Sequence, residues 1–237
     1  MKKLFVIIIV ALVAVFIISS ASVYAQEVSA GMKAGVNIAT LYGDDVDFFL
    51  GTFDKKVKTG VSFGAFITYD INDIFAIQPE FLVTKKGMKV EGNYIEDDFY
   101  YDEYYYYKVK GTISFNYLEF PVLAKISIPN EGSVQPNIFF GPALALMTSA
   151  KMTSNLEMGS FDISDEIKSF DFGLVFGAGM DVDLGIAKLT FDGRYTLGLI
   201  SVDDSLADLF LLNDDSSGNL DIKNSVISIM VGYGFLL

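Results

Sequence analysis

The feature that most constrains the fold is a strict alternation of apolar and polar residues that recurs along the chain in long runs. Eight runs of about ten or more residues alternate with period two, and they cover residues 30–41, 59–71, 74–90, 112–128, 135–150, 168–184, 188–200 and 223–237. Successive side chains of a β-strand point to opposite faces, so this period predicts strands with one apolar face. No later stretch is apolar for about 18 residues, the minimum for a membrane-spanning helix.

The connections between these runs alternate between long and short. Residues 42–58, 91–111, 151–167 and 201–222 form the long connections, whereas the short ones are 72–73, 129–134 and 185–187. Short turns at one rim and long loops at the other are typical of up-and-down outer-membrane barrels. The sequence therefore predicts an all-β fold, an eight-stranded antiparallel up-and-down transmembrane β-barrel. Both termini are expected on the short-turn, periplasmic side, because the number of strands is even.

The first 25 residues have the layout of a secretory signal peptide. Lys2 and Lys3 precede an unbroken apolar run from Leu4 to Ile18, and small residues lead to a cleavage site after Ala25. This run is shorter than the about 20 residues that a membrane-spanning helix needs. We expect residues 1–25 to be a cleaved signal peptide and residues 26–237 to form the outer-membrane barrel domain.

The composition excludes several classes of function. The chain has no His and no Cys, which removes the usual general base, the commonest zinc ligands and any thiol nucleophile. Its formal net charge is −13, and loss of Lys2 and Lys3 leaves 15 basic against 30 acidic residues, or −15. Such a charge argues against a nucleic-acid partner. We expect no enzymatic activity, no catalytic residues, no cofactor and no metal site.

Acidic residues are concentrated in the long connections. Twenty of the 30 acids lie there, which predicts acidic extracellular loops. Pairs such as Asp44-Asp45 and Asp203-Asp204 offer the oxygen ligands that Ca²⁺ or Mg²⁺ prefers, but they lack the spacing of a calcium-binding loop. We therefore interpret these pairs as parts of solvated loops.

Alternation alone does not decide whether the apolar face contacts lipid or fills a core. The apolar faces carry five or six consecutive large residues, such as Phe172, Leu174 and Phe176, whereas the opposite faces combine glycine with charged residues. That combination suits the lumen of an eight-stranded barrel, which has room only for side chains or one small ligand. Unpaired charges there would be costly, so we expect a mutually paired network. Its members are Lys33, Glu80, Glu119, Lys125, Asp171, Asp192 and Arg194.

Tyrosines are concentrated in the second long connection. Tyr104, Tyr105, Tyr106 and Tyr107 are consecutive. They either form a contact surface for an extracellular protein or glycan, since tyrosine gives large contact area at low entropic cost, or extend the fourth strand beyond the membrane. Other aromatic residues near the run ends, with Tyr117 among them, are compatible with the belts that mark the two membrane–water interfaces.

Several pieces of the sequence resemble one family of small outer-membrane barrels. The most specific are Gln-Pro-Glu within residues 77–82 and Asn-Tyr-Leu-Glu-Phe-Pro at residues 116–121, and residues 31–41 match as well. They resemble the PorT-like, or outer membrane β-barrel domain, family over nearly the whole chain beyond residue 25. The resemblance implies a barrel in the outer membrane of a Gram-negative, Bacteroidetes-like envelope, read during biogenesis by the barrel assembly machinery. It implies no catalytic residues and no defined ligand.

The expected role is that of an integral outer-membrane protein with a side-chain-plugged lumen. We expect this role to be structural support, interaction at the cell surface or maintenance of the envelope. We also expect outer-membrane lipid to surround the barrel wall. Three alternatives stay open from the sequence: a soluble periplasmic lipocalin-like barrel that holds a small apolar ligand, a narrow channel, and an outer-membrane enzyme that acts on lipids, against which the lack of His counts. The first requires the apolar face to point inward, and the second requires a stable conductance.

Overall fold

The computed structural model describes residues 27–46, 50, 53–98, 103–129, 131–155, 159–165, 167–202 and 221–237, with backbone only for 94–98 and 103–106. These residues form nine β-strands: β1 (Glu27–Tyr42), β2 (Asp54–Asp70), β3 (Phe75–Asp98), β4 (Glu103–Ser127), β5 (Val134–Ser154), β6 (Gly159–Asp162), β7 (Phe170–Asp183), β8 (Ala187–Gly198) and β9 (Lys223–Leu236). The expected signal peptide and Asp203-Asp204 lie outside the described residues. No helix in the described ranges is long and apolar enough to cross a membrane.

Eight of the strands close into one antiparallel ring. Neighbours follow the order β4-β3-β2-β1-β9-β8-β7-β5, and pairing of β4 with β5 completes the circle. The first and last strands of the chain pair from Ser29↔Leu236 to Tyr42↔Lys223, which seals the barrel. β6 pairs with β5. The eight alternating runs correspond one to one with the ring strands, so the predicted eight-stranded up-and-down barrel is confirmed.

Several strands extend beyond the alternating runs, most of all at the long-loop end. β2 begins at Asp54, β3 ends at Asp98 and β4 begins at Glu103, so parts of segments 42–58 and 91–111 are paired strands rather than loops. The β3–β4 ladder reaches Asp98↔Glu103 at its far end. The backbone of residues 104–107 therefore belongs to β4 and extends it, as one of our two interpretations of the tyrosines expected.

Short turns join the strands at the opposite rim. In the β2–β3 turn, the Asn72 side-chain oxygen accepts hydrogen bonds from the backbone N–H groups of Ile74 and Phe75 at 2.9 and 2.8 Å. This is the local bonding that makes asparagine a turn residue. The β7–β8 turn contains Gly185 at φ +87°, a left-handed conformation that favours glycine.

The outer surface of the wall carries a continuous apolar band. On β4 the outward residues are Leu118, Phe120, Val122, Ala124 and Ile126, and on β7 they include Phe172 and Phe176. A nine-residue stretch at about 3.3 Å per residue, tilted by about 40°, spans roughly 20–25 Å, close to the height of the band on outer-membrane barrels. The lipocalin-like alternative is wrong for this wall, because it requires these side chains to point inward.

Beyond this band the two faces of the wall exchange their character. On β4 the outward positions become Asn116, Ser114 and Thr112, while the inward Phe115 and Ile113 are buried. A cluster of buried apolar residues fills the interior at this level: Leu41, Val46, Leu50, Met88, Ile113, Phe115, Tyr117, Ala145, Met147, Ala150, Ile163, Ile167, Val202 and Ile222. We call the part of the barrel around this cluster the head.

The head has an apolar interior, and on β4 it has a polar exterior. Tyr117 belongs to this interior and is fully buried. Our expectation that Tyr117 belongs to an aromatic belt is therefore wrong. The physical reason is that its strand position points into the barrel, whereas a belt residue must point toward lipid.

Candidate functional site: the lumen charge network

All seven residues of the expected lumen network lie inside the barrel. Lys33, Glu80, Glu119, Lys125, Asp171, Asp192 and Arg194 are each at most 6 % exposed. They belong to five different strands, β1, β3, β4, β7 and β8, and each occupies the inward phase of the alternation. The structure groups them into a central, an upper and a lower set.

The central set contains two cations and two carboxylates. Arg194 donates hydrogen bonds to both carboxylate oxygens of Glu80, at 2.7 and 3.2 Å, and to Asp192 at 2.7 Å. Lys33 donates to the same two acids at 2.7 Å each. Gln78 adds a hydrogen bond to Glu80 at 2.7 Å. This set is therefore balanced in charge, and each acid has more than one donor, as burial of charge requires.

The upper set lies next to the core of the head. The Lys86 ammonium contacts the Glu119 carboxylate and lies 4.0 Å from an Asp171 oxygen. Asn224 donates to Asp171 at 3.0 Å and to the Tyr117 hydroxyl at 3.3 Å. The sequence analysis did not include Lys86 in the expected lumen network. The signal was available, because Lys86 has the same strand phase as Glu80, six residues earlier on β3.

The lower set faces the short-turn rim. Lys125 pairs with Asp181 at 2.7 Å, an acid absent from the expected network although it lies on the charged face of its run. At the rim itself, Lys188 donates to Glu27 at 3.0 Å and to Asp70 at 2.9 Å. Partial burial opposes the charge of Lys188, but the hydrogen bonds and charges of Asp70 and Glu27 outweigh it and raise the pKa of this lysine.

Aromatic rings pack against three of the buried cations. The Lys33 ammonium lies 4.9 Å from the centre of the Phe66 ring, and the Arg194 guanidinium lies 5.3 Å from the Phe139 ring. The Lys86 ammonium lies 5.0 Å from the Tyr117 ring. Cation–π contacts favour a charge that is removed from water. They also fill the space that the ion pairs leave.

Little open space remains between the central and upper sets. A cavity of about 10 Å³, lined in part by Lys86, Glu119 and Arg194, has room for about one water molecule. Some polar atoms of the described interior have no protein partner, among them both side-chain atoms of Asn137 and one oxygen of Asp181. Near the short-turn rim a recess of about 200 Å³ is lined by residues that include Asp181 and Lys188.

The acidic pairs and the four consecutive tyrosines do not form a metal site or a catalytic site in the described part of the chain. The Asp45 carboxylate accepts a hydrogen bond from the backbone N–H of Asp221 at 2.7 Å, so it stabilises the approach to β9. Within the described ranges no group of three or more acidic residues has the arrangement of a metal site. The side chains of Tyr104, Tyr105 and Tyr106 lie outside the described residues, and Tyr107 is exposed.

A closed eight-stranded ring with an apolar outer band and a charged interior defines an integral outer-membrane β-barrel protein. A comparison with protein families agrees, since the model of the family described as outer membrane protein beta-barrel domain matches residues 24–204. This chain belongs to that family. It is therefore a protein of the outer membrane, and the expected localisation is confirmed.

Solved structures of other outer-membrane proteins are similar at low sequence identity. Ail, the attachment invasion locus protein of Yersinia pestis, is 16 % identical, with 90 % of this chain and 100 % of Ail covered and a TM-score of 0.42. OprG from Pseudomonas aeruginosa is 13 % identical, with coverages of 90 % and 97 % and a TM-score of 0.48. Neisserial surface protein A is 13 % identical, with coverages of 87 % and 96 % and a TM-score of 0.40. No curated protein matches the chain.

Proposed function

We propose that this protein is a non-conducting, non-enzymatic outer-membrane barrel with a structural, surface-interaction or envelope-maintenance role. The observation that carries this proposal is the contact of Arg194 with Glu80, which crosses the lumen between opposite strands of the ring. A side-chain bridge in this position obstructs any continuous water path. The lumen network then serves the barrel itself rather than a solute.

The packing around this bridge supports a plugged lumen. The cavity above it holds about one water molecule, and the apolar core of the head lies beyond it. Ions that move through a barrel need a continuous polar path, and a tightly packed apolar region interrupts that path. The bridge between Arg194 and Glu80 and the apolar core of the head lie at different heights in the barrel, so loss of one leaves the other in place.

Planar-bilayer recording of the detergent-folded chain tests the plug. We expect no stable conductance from the wild type. The quadruple variant K33S/E80S/D192S/R194S shortens all four side chains of the central set without changing net charge, and K56S/E91S is a matched variant on the outer surface. A steady open level in the wild type would contradict the plug, whereas rare flickering only in the quadruple variant would support it.

A narrow channel is the second candidate, and the recess near the short-turn rim favours it. This recess of about 200 Å³ reaches Asp181, and Asn137 and Asp181 carry unpartnered polar atoms nearby. Such atoms are the groups that a row of water molecules would solvate. The same recordings separate the candidates, because a channel conducts before any substitution is made.

The head is the part of the protein that can meet partners outside the cell. The β3–β4 hairpin reaches Asp98↔Glu103, and Tyr104 to Tyr107 lie at the start of its second strand, β4. We propose these four tyrosines as a contact surface for an extracellular protein or glycan, with the acidic long loops around them. Replacement of all four by serine tests this surface on a glycan array, and K168Q provides a control at the same end of the barrel. Unchanged glycan binding in the tyrosine variant would remove the surface from consideration.

The finer assignments also remain proposals. The pieces at residues 77–82 and 116–121 support a place among PorT-like barrels. We propose that cleavage after Ala25 yields a chain that starts at Gln26, and that the barrel assembly machinery reads the aromatic Phe235 near the terminus. Amino-terminal sequencing of the protein recovered from outer membranes tests the cleavage site, since an uncleaved chain begins at Met1.

A further inference from the structure

Lysines on the outside of the barrel gather on one side, at the long-loop end of the apolar band. Lys56 lies on β2, Lys85 and Lys89 lie on β3, and Lys108 and Lys110 lie on β4. All five are exposed, and these three strands are neighbours in the ring. The last apolar outward residues before them include Val83 on β3 and Leu118 on β4. Lys85 therefore lies at the edge of the apolar band, and Lys56 and Lys89 lie about six residues above Val83. Lys110 and Lys108 lie eight and ten residues above Leu118.

The opposite side of the ring differs at this level. The outward position beyond the band is Thr40 on β1 and Ser225 on β9, and β7 and β8 place Phe170 and Leu197 there. Lys223 at the start of β9 is engaged by Asp221 at 2.7 Å. Within the described strands, the exposed cations of the outer surface thus belong to β2, β3, β4 and the neighbouring β5, where Lys151 lies opposite Asp162 of β6.

Among the residues whose side chains the structure describes, nearby acids compensate these cations only in part. Lys108 and Lys110 each lie 3.8 Å from the single carboxylate of Glu91, and Lys56 lies 3.9 Å from Asp54. Lys85 and Lys89 have no carboxylate within 4 Å among the described residues. In a chain whose net charge is −13, an uncompensated group of lysines on one face is conspicuous. It is the arrangement expected for recognition of an anion.

A sixth lysine lies behind this surface and adds to its positive charge. The register between β2 and β3 shifts between Val57 and Ser62, and within this break Lys58 donates to the Lys86 carbonyl oxygen at 3.1 Å. Lys58 is 8 % exposed. Its burial and the positive charges of Lys85 and Lys89 lower the pKa of Lys58. An anion bound between these three ammonium groups would relieve that repulsion.

The position of the lysines decides which anion they can meet. At the edge of the apolar band, a side chain reaches the headgroup level of the leaflet on the long-loop side. Lysine stems can lie against acyl chains while the ammonium groups extend to headgroup phosphates. We propose that Lys56, Lys58, Lys85 and Lys89 form a binding face for the phosphate groups of lipids in the outer leaflet, whereas Lys108 and Lys110 lie eight or more residues above the band and outside this face. This inference deepens the envelope-maintenance role and rests on that proposed function.

Native mass spectrometry of the detergent-folded chain tests the face with two lipid probes. One probe is a bisphosphorylated, acylated disaccharide lipid, and the other is the same lipid without its phosphates. Inorganic phosphate and a sulfated oligosaccharide serve as soluble competitors. The test variant is K85Q/K89Q, and its control is K168Q/K223Q, which removes the same charge at the same end of the barrel but away from the face. Gel mobility with and without boiling verifies that each variant is folded.

We expect the bisphosphorylated lipid to bind about tenfold or more tightly than its phosphate-free form. We expect K85Q/K89Q to lose about 25-fold in affinity for the bisphosphorylated lipid, because each lysine near a lipid surface contributes about fivefold, while the control changes by less than about twofold. Equal binding of the two lipids, or an equal loss in the control, would overturn the proposal. Displacement of the lipid by inorganic phosphate or by the sulfated oligosaccharide would also overturn it, in favour of a soluble anion. None of these results affects the plug, which the conductance measurement tests separately.

Discussion

Arg194 on β8 and Glu80 on β3 form two hydrogen bonds across the barrel, at 2.7 and 3.2 Å, although their strands lie on opposite sides of the ring. Three strands separate them in either direction, β2, β1 and β9 on one path and β4, β5 and β7 on the other. Strand pairing therefore cannot bring these walls together. The ion pair supplies a cross-link through the lumen that the backbone ladder lacks.

Removal of Arg194 is expected to destabilise the barrel. In Arg194→Met, Glu80 and Asp192 keep only Lys33 as a cationic partner, which leaves one buried negative charge uncompensated. Loss of one partner of a buried pair costs about 3–5 kcal/mol. The measurement is the free energy of unfolding in denaturant for the detergent-folded barrel.

A second variant distinguishes the effect of the lost ion pair from the effect of the lost arginine side-chain volume. In E80Q/R194M the uncompensated negative charge is gone, so we expect most of the stability to return. A double variant as unstable as R194M would show that packing of Arg194 on Phe139, 5.3 Å from its ring, matters more than charge.

Gly177 is expected to tolerate no larger side chain, because the Phe139 ring occupies the space beside it. A Cβ atom at Gly177 would lie 2.3 Å from Phe139 Cζ and 2.6 Å from the Gly193 carbonyl oxygen. Gly177→Ala should therefore shift the ring on which Arg194 packs, and overpacking of this kind costs about 1–3 kcal/mol. Gly159→Ala is the matched control, since nothing lies within 4 Å of its Cβ position. Thermal unfolding of both variants compares them, and equal transition temperatures would refute the close contact.

The fold was predictable because period-two alternation reports strands directly. Every ring strand of the structure overlaps one of the eight runs, and the rim with short turns follows from residues such as Asn72 and Gly185. The charged members of the network followed from the same phase. Their pairing did not, because alternation assigns a residue to a face but not to a partner on another strand.

The sequence analysis missed the head because the alternation there keeps its period of two, while the apolar residues change from the outward to the inward positions. On β4 the apolar residues are the even positions from Leu118 to Ile126, and then the odd positions Tyr117, Phe115 and Ile113. The neighbouring apolar pair Tyr117-Leu118 marks this reversal, and Leu146-Met147 marks it on β5 near a break in the β4–β5 register. These pairs are the signal in the sequence, because two adjacent apolar residues interrupt the alternation.

The core of the head is expected to contribute to stability independently of the membrane band. Phe115 is fully buried in that core, so Phe115→Ala should cost about 3–5 kcal/mol. Phe140→Ala is the matched control, since Phe140 lies on the outer wall and is half exposed. Phe140→Ala removes contacts of the ring with lipid rather than contacts within a packed core, so it should cost much less stability. Limited proteolysis and denaturant unfolding measure both effects, and an equal loss would contradict a separately packed head.

The contact of Lys188 with Glu27 and Asp70 should stabilise the short-turn rim in a pH-dependent manner. It joins β8 to β1 and β2 at 2.9–3.0 Å in a partly exposed position, so Lys188→Gln should cost about 0.2–1 kcal/mol. The pKa of Lys188 is raised in the folded protein by these acids, against the effect of burial. Its stabilisation is therefore complete below the unfolded value of about 10.4 and disappears as pH rises through the raised folded value.

We thus expect the difference in unfolding free energy between wild type and Lys188→Gln to stay constant from about pH 7 to 9 and to shrink at higher alkaline pH. Lys168→Gln, with no carboxylate within 4 Å among the described residues, controls for the general effect of a lost charge. Denaturant titrations at several pH values measure all three proteins. A difference that grows with alkaline pH would have the wrong sign, because a neutral Lys188 cannot attract the two carboxylates.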